Sequence, residues 1–153
     1  DPELEHLIRE HNPTAEIIEC AHKPECLVDF HSMKRSELTI LKGAKIACFS
    51  AIAAPDSFEN FLTELGAEIV YKKRFLDHHR FDDYELDKFF KKAKSFNAKF
   101  VVTTEKDAVR IRPDYPAALP FYYTKLEIEI LEGVDDFESA VEKICFPKRR
   151  SDI

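Results

Sequence analysis

An acid, two imidazoles and a guanidinium stand together at Asp77-His78-His79-Arg80, bracketed by Phe75-Leu76 and Phe81. A carboxylate beside an imidazole orients the ring and raises its basicity, the arrangement of a general base or acid. These are also metal-ligand types, but two adjacent His do not readily aim at one ion from a strand or a helix. No metal site is therefore expected, and the other reading is a polar loop with hydrogen-bonded His. A second polar group is Thr103-Thr104-Glu105-Lys106-Asp107. Thr104 can cap a following turn with Asp107 as the acid of its capping box, which leaves Lys106 to pair with Asp77 or with an anion. A third stretch, Ser50-Ala51-Ile52-Ala53-Ala54-Pro55-Asp56, joins an apolar run to a helix start. A helix amino terminus can receive an anion; a plain strand-to-helix turn explains the stretch equally well.

Each polar group follows a short apolar run and precedes a helix signal. Lys45–Ile52 (KIACFSAI) is nearly continuous apolar and predicts a strand buried on both faces. Glu68–Tyr71 and Lys99–Thr103 predict two more strands, followed by Phe121–Tyr123 and Lys125–Ile130. In the last, Leu126, Ile128 and Ile130 alternate with Lys125, Glu127 and Glu129, which predicts a wet face and a place toward a sheet edge. Glu16–Cys20 and Cys26–Phe30 read as a small ribbon, and residues 31–44 as a connection.

Helices are announced by acidic caps. Asp56-Ser57-Phe58-Glu59 is a capping-box pattern, followed by Phe61, Leu62 and Leu65 at helical spacing and by Gly66 as the stop. Asp82-Asp83-Tyr84-Glu85 opens a helix with Leu86, Phe89, Phe90, Ala93 and Phe96 on one face. Asp135-Asp136-Phe137-Glu138 opens another, with Ala140, Val141 and Ile144. Asp1-Pro2 opens a short one with Leu4, Leu7 and Ile8. The alternation predicts an α/β fold, a mostly parallel sheet with helices on both faces, in which loops at the carboxyl ends of the strands meet ligands. The expected division is a lead-in over 1–40, an α/β domain over 41–147 and a tail over 148–153.

Composition narrows the function. The chain has 153 residues, 23 Lys plus Arg against 29 Asp plus Glu, and a net charge of −6. That argues against a nucleic-acid partner; the basic spots at Lys72–Arg74 and Lys148–Arg150 read as solvated surface. Only three glycines occur, at Gly43, Gly66 and Gly133, too far apart for a phosphate cradle or a dinucleotide fingerprint. The four Cys form no C-x-x-C pair, which suits a reducing cytosol. No apolar run approaches the roughly 18 residues of a membrane span, and no signal peptide is evident. The chain begins at Asp1-Pro2, not at Met, and reads as part of something longer.

In order and spacing, CFSAIAAPDSFENFLTELGAEIV (48–70), FLDHHRF (75–81) and KFVVTTEKDAVRI (99–111) resemble the carboxyl-terminal half of the tetraacyldisaccharide 4′-kinase (lipid A 4′-kinase) family. PECLVDFHSMKRSELTILKGAKI (24–46) resembles that family's lead-in. The resemblance implies a Rossmann-like carboxyl-terminal domain of a P-loop kinase. Such a kinase transfers the γ-phosphoryl of ATP, with Mg²⁺, to the 4′-hydroxyl of a lipid-linked disaccharide 1-phosphate. It implies peripheral membrane contact in the cytoplasm, at the inner face of the inner membrane, and an amino-terminal P-loop domain as partner. It maps the family's D-H motif onto Asp77 and His78, His78 as the catalytic candidate and Asp77 as its support. His79, Arg80, Ser50, Thr104, Glu105, Lys106 and Asp107 are then expected to line the cleft.

Two features depart from the family. The first loop usually reads like G-I-x-N-P, whereas this chain has Ala51-Ile52-Ala53-Ala54-Pro55, which adds a side chain and removes an amide. No G-x-x-x-x-G-K-[ST] occurs in the 153 residues, so ATP and Mg²⁺ are expected to be held by the other domain and the chain alone to be inactive. Two other readings are a metal-dependent phosphoesterase of the D-H-H type, which needs further Asp and His motifs not seen here, and a non-catalytic binding module.

Overall fold

The computed structural model describes residues 1–77 and 79–146; His78 and residues 147–153 lie outside the described residues. Its elements are α1 (Pro2–His11), β1 (Glu19–Asp29), β2 (Arg35–Ser36), β3 (Lys45–Ser50), α2 (Pro55–Glu64), β4 (Glu68–Arg74), α3 (Asp83–Ser95), β5 (Phe100–Thr104), α4 (Glu105–Ala108), β6 (Phe121–Glu132) and α5 (Val134–Cys145). The six strands form one sheet in the order β2-β1-β6-β5-β3-β4. The β3–β4, β3–β5 and β5–β6 pairs are parallel, and β2 is antiparallel to β1. The chain is an α/β protein with a mostly parallel sheet, as expected.

Two compact units divide the chain, Asp1–Lys23 with Glu127–Ile153 and Pro24–Leu126. Their boundaries differ from 1–40 and 41–147 because β1 and β6 each contribute residues to both units.

In the 24–126 unit the alternation of β3 sorts its side chains to two cores. Ala47 and Phe49 face Phe89, Phe90 and Leu86 of α3, with Val101 and Phe121 beside them. Ile46 and Cys48 face Phe58 and Leu62 of α2, with Leu41 and Val102. Both faces of the sheet are thus covered by helix, which is why KIACFS reads apolar throughout. A fully buried Phe or Leu stabilises by about 1.5–3 kcal/mol, so these two layers dominate the fold.

Several local expectations change. β6 is exposed on both faces at 126–129, the apolar Leu126 and Ile128 included and not the charged face alone, and the strand lies between β5 and β1 and is no edge. Alternation here reports neither which face is covered nor a free edge. The two halves of the anticipated ribbon merge into the single 11-residue strand β1, and 121–123 and 125–130 merge into β6. The anticipated connection over 31–44 contains β2 and a one-turn 3-10 helix at Leu38–Leu41, whose Leu41 is fully buried.

Caps move as well. Asp1 caps α1 by accepting from Glu3 and Leu4 N–H, and Asp82 caps α3 by accepting from Glu85 N–H at 2.8 Å. α2, however, begins at Pro55 with Ala54 in the cap, because Asp56 and Glu59 are both engaged by Arg74. α5 begins at Val134 after Gly133, which adopts φ +81, and not at Asp135. A Cβ at Gly133 would stand 2.7 Å from the Ile17 carbonyl oxygen. Among the described residues no helix is long and apolar enough to cross a membrane.

Candidate functional site

Strands β4, β3 and β5 lie side by side and run the same way, so the three polar loops of the sequence emerge together at one end of the sheet. The sheet order reverses between β3 and β5. β3 leads through α2 to β4 on one side, and the chain then returns to β5 on the other. In open α/β sheets that reversal opens the crevice where ligands bind.

The loop after β4 is held at both ends by aromatic packing. Phe75 and Phe81 meet edge to face at 5.1 Å, and both pack on Phe49 of β3, at 6.2 and 5.2 Å. Phe75 N–H donates to the Ser50 carbonyl at 2.9 Å, which extends the β3–β4 pairing one step past Arg74. Lys73 Nζ lies 4.0 Å from the centre of the Phe75 ring. Within this closed loop Asp77 and Arg80 are exposed.

His79 is a clamp of the loop. Its ring stacks on Phe75 at 4.8 Å, meets Phe81 at 5.3 Å and bonds through Nε2 to Glu85 Oε2 at 2.7 Å. That hydrogen bond, with the nearby imidazole charge, holds the Glu85 carboxyl below the usual range for Glu. The loop is thereby fastened to the first turn of α3, one turn from the Asp82 cap. Glu85, read from the sequence as a helix-opening acid, is also the partner of His79. His78, the leading catalytic candidate, lies outside the described residues.

The start of the loop is braced from α2. The side chain of Glu59, 8% exposed, accepts from Arg74 Nε and Nη2 at 2.7 Å and from Lys72 Nζ at 2.5 Å. Asp56 accepts from the same Arg74. The Arg74 and Lys72 bonds hold the Glu59 carboxyl down at about 2 despite its burial. This network was missed in the sequence because its members are 13 to 18 residues apart and the two acids had been assigned to capping.

The loop after β5 turns inward. Thr104 caps α4 by accepting from Asp107 N–H at 3.2 Å, as its spacing predicted. Asp107 does not complete a capping box. Its Oδ2 accepts from Thr104 Oγ1 at 2.8 Å and, across the sheet, from Ala51 N–H at 3.0 Å. Its Oδ1 stands 3.4 Å from Arg110 Nη1. Arg110 Nη1 also approaches the Ala51 carbonyl at 3.5 Å. Arg110 sits in the quoted T-T-E-K-D-A-V-R stretch, and its i+3 spacing from Asp107 was the signal that could have found it.

The nine expected site residues therefore separate. Ser50, Thr104 and Asp107 are 2%, 8% and 0% exposed, inside the chain and not on an open wall. Asp107 bonds across the crevice to Ala51 N–H and is held by Thr104, and the Ser50 carbonyl anchors Phe75. Glu105 is half-buried and pairs with Lys125 at 3.6 Å, and Lys106 is exposed. His79 is a half-buried clamp, Asp77 and Arg80 face outward, and His78 is not described. The Ala51 N–H is already satisfied by Asp107. Among the described residues no group of three or more Asp, Glu, His and Cys side chains is placed to hold a metal ion.

A profile of the tetraacyldisaccharide-1-P 4′-kinase family matches residues 3–145. A tetraacyldisaccharide 4′-kinase from Anaeromyxobacter dehalogenans strain 2CP-C is 37% identical over 126 residues, 81% of this chain and 33% of that protein. The corresponding kinase of Syntrophus aciditrophicus is 35% identical over 109 residues, 71% of this chain and 29% of that one. That of Elusimicrobium minutum is 31% identical over 147 residues, 95% and 38%. The chain spans about a third of the length of these relatives. A crystal structure of LpxK from Aquifex aeolicus in complex with ATP shares the fold at TM-score 0.54 and 17% identity, over 89% of this chain and 40% of that one.

Proposed function

The chain belongs to the tetraacyldisaccharide-1-P 4′-kinase family, and from that premise we propose that it is the carboxyl-terminal portion of a kinase that phosphorylates the 4′-hydroxyl of a tetraacyldisaccharide 1-phosphate. One observation carries this: a chain matched to a kinase family over residues 3–145 contains no G-x-x-x-x-G-K-[ST] sequence in its 153 residues. ATP and Mg²⁺ are then bound by the P-loop portion of the kinase, and this chain supplies the other wall of the cleft. The half-exposed apolar residues of the unit formed by 1–23 and 127–153 support a further packing partner. Leu4, Leu7, Val134, Phe137 and Val141 are 39–54% exposed, and Ile144 and Phe146 78%. The family assignment displaces the D-H-H phosphoesterase alternative.

In this reading His78 accepts the proton of the sugar 4′-hydroxyl at a ring nitrogen as the oxygen attacks the γ-phosphorus of ATP, whose bond to the β–γ bridging oxygen breaks to release ADP, and Asp77 is the support of that imidazole. Arg80 and Lys106, both exposed, bring positive charge for the anionic substrate, while His79 and Glu85 keep the loop closed. Ser50, Thr104 and Asp107 hold the loops behind it. Positioning and charge neutralisation provide most of phosphoryl-transfer catalysis, so the 153 residues alone transfer no phosphoryl group. The complete kinase works in the cytoplasm on a lipid substrate, through peripheral contact with the inner face of the inner membrane, and has no nucleic-acid partner.

The test uses phosphate transfer from ATP to the lipid disaccharide. Asp77→Asn and His78→Ala in the complete kinase are expected to lose at least about 100-fold in kcat, the lower end of the range for general base catalysis. The isolated chain is expected to be inactive until mixed with a separately made P-loop portion. Activity of the pure chain, or wild-type kcat in both variants, overturns the proposal.

A further inference from the structure

We propose that Asp107 is a positioning residue of this kinase: its carboxylate fills the crevice at the sheet reversal and sets the register of the loop that carries Asp77. The inference rests on the reading of that loop given above.

Asp107 is completely buried. A carboxylate there is costly unless its oxygens are bonded, and its partners lie at strand ends and in the loops that follow them. Oδ2 takes the Ala51 N–H and the Thr104 hydroxyl, while Oδ1 faces Arg110, which itself reaches the Ala51 carbonyl. Both backbone groups of Ala51 are therefore addressed by the Asp107–Arg110 pair. One residue earlier, the Ser50 carbonyl receives Phe75 N–H. Two residues beyond Phe75 is Asp77. A continuous series of bonds thus runs from Asp107 through Ala51 and Ser50 to Phe75 and the start of the loop.

The alternative is a simple cap for the four-residue helix α4. A capping-box acid reaches back to the N–H of its own cap residue. Asp107 reaches 56 residues away to the neighbouring strand end. It takes the Ala51 N–H at the reversal of strand order, the place in open α/β sheets where ligands bind. The gap between the β3 and β5 ends is therefore filled from within the chain, and the departure from G-I-x-N-P at Ala51–Pro55 fits a first loop that admits no ligand there, while Asp77 and Arg80 of the β4 loop stay exposed for the substrate.

The experiment measures kcat and the KM for ATP in the complete kinase, with hydrogen exchange by mass spectrometry over 48–54 and 73–80. Asp107→Ala is expected to lower kcat about 10–100-fold, the effect of displacing a reacting group by about an ångström. KM for ATP is expected to stay within about twofold, with faster exchange confined to those two segments. Asp107→Asn keeps one oxygen for Ala51 and Thr104 and is expected to restore most of the rate. A wild-type kcat in Asp107→Ala, or faster exchange spread over the whole sheet, overturns the proposal. Should Asp107→Ala fail to fold, Thr104→Val serves: it removes the hydroxyl at nearly constant volume. A lowered kcat restored by Thr104→Ser supports the proposal, and an unchanged kcat overturns it. Asp77→Asn runs alongside. A wild-type rate there defeats the reading of the loop itself, whereas an inactive Asp77→Asn beside a fully active Asp107→Ala defeats the positioning role alone.

Discussion

Replacing Glu59 by Gln keeps its size and removes its charge from beneath Arg74 and Lys72. The carboxyl group is held at about 2 against an ordinary value of 4.5, a difference that corresponds to about 3 kcal/mol of stability at neutral pH. Its side chain is 8% exposed, but those of Arg74 and Lys72 are 41% and 52% exposed. Solvent screening of the cations lowers the expected loss to about 2 kcal/mol. The sign follows from proton binding. Between 4.5 and 2 the unfolded chain takes up a proton that the folded chain refuses, so stability falls as pH falls through that window. Above it the contribution is complete. Urea unfolding of wild type and Glu59→Gln at a series of pH values checks this. The wild type is expected to be more stable by about 2 kcal/mol at pH 7, with the gap closing as the pH approaches about 2. A gap that stays constant across that range refutes the ionic argument and leaves packing as the cause. Arg74 is the last residue of β4, so the same variant loosens the base of the Asp77 loop.

Two further outcomes follow from the structure. His79→Ala removes the ring stacked on Phe75 and the bond to Glu85. A loss of about 1–2 kcal/mol is expected in thermal unfolding, with the Glu85 carboxyl rising to its ordinary range by NMR titration; an unmoved Glu85 refutes the clamp. Burial pushes the Cys48 thiol up to about 12 and raises that of Cys26, while Cys20 and Cys145 are exposed. A thiol reagent near pH 8 is therefore expected to modify Cys20 and Cys145 quickly in the native chain and the other two only on unfolding. Fast labelling of Cys48 in the folded protein counts against its burial.

The elements were legible where one physical signal dominated. KIACFS is apolar on both faces because helices cover both, and the α3 stripe of Leu86, Phe89, Phe90 and Ala93 is buried as its spacing predicted. Errors arose where one residue type serves two purposes. Asp56 and Glu59 have the spacing of a capping box, yet Arg74, far along the chain, engages both. Lys125–Ile130 alternates as an edge strand would, yet β6 has β5 on one side and β1 on the other. Polar residues near a strand end all read as facing the cleft, Asp77 as catalytic support and Asp107 as lining, and chain order does not tell Asp77, which is exposed, from Asp107, which is sealed inside.

Residue type and spacing by themselves predicted the fold class and the three loops, which depend on hydrophobic periodicity and polar clusters written along the chain. The family was legible only as a resemblance of short contiguous motifs. Three-dimensional packing alone decided which polar groups are available for chemistry. A buried carboxylate must find its partners wherever the fold places them, and for Asp107 these include a backbone N–H 56 residues away on the adjoining strand end. The same requirement took His79 to Glu85 and Glu59 to Arg74. It left Asp77, Arg80 and Lys106 facing outward at the end of the sheet where the loops meet.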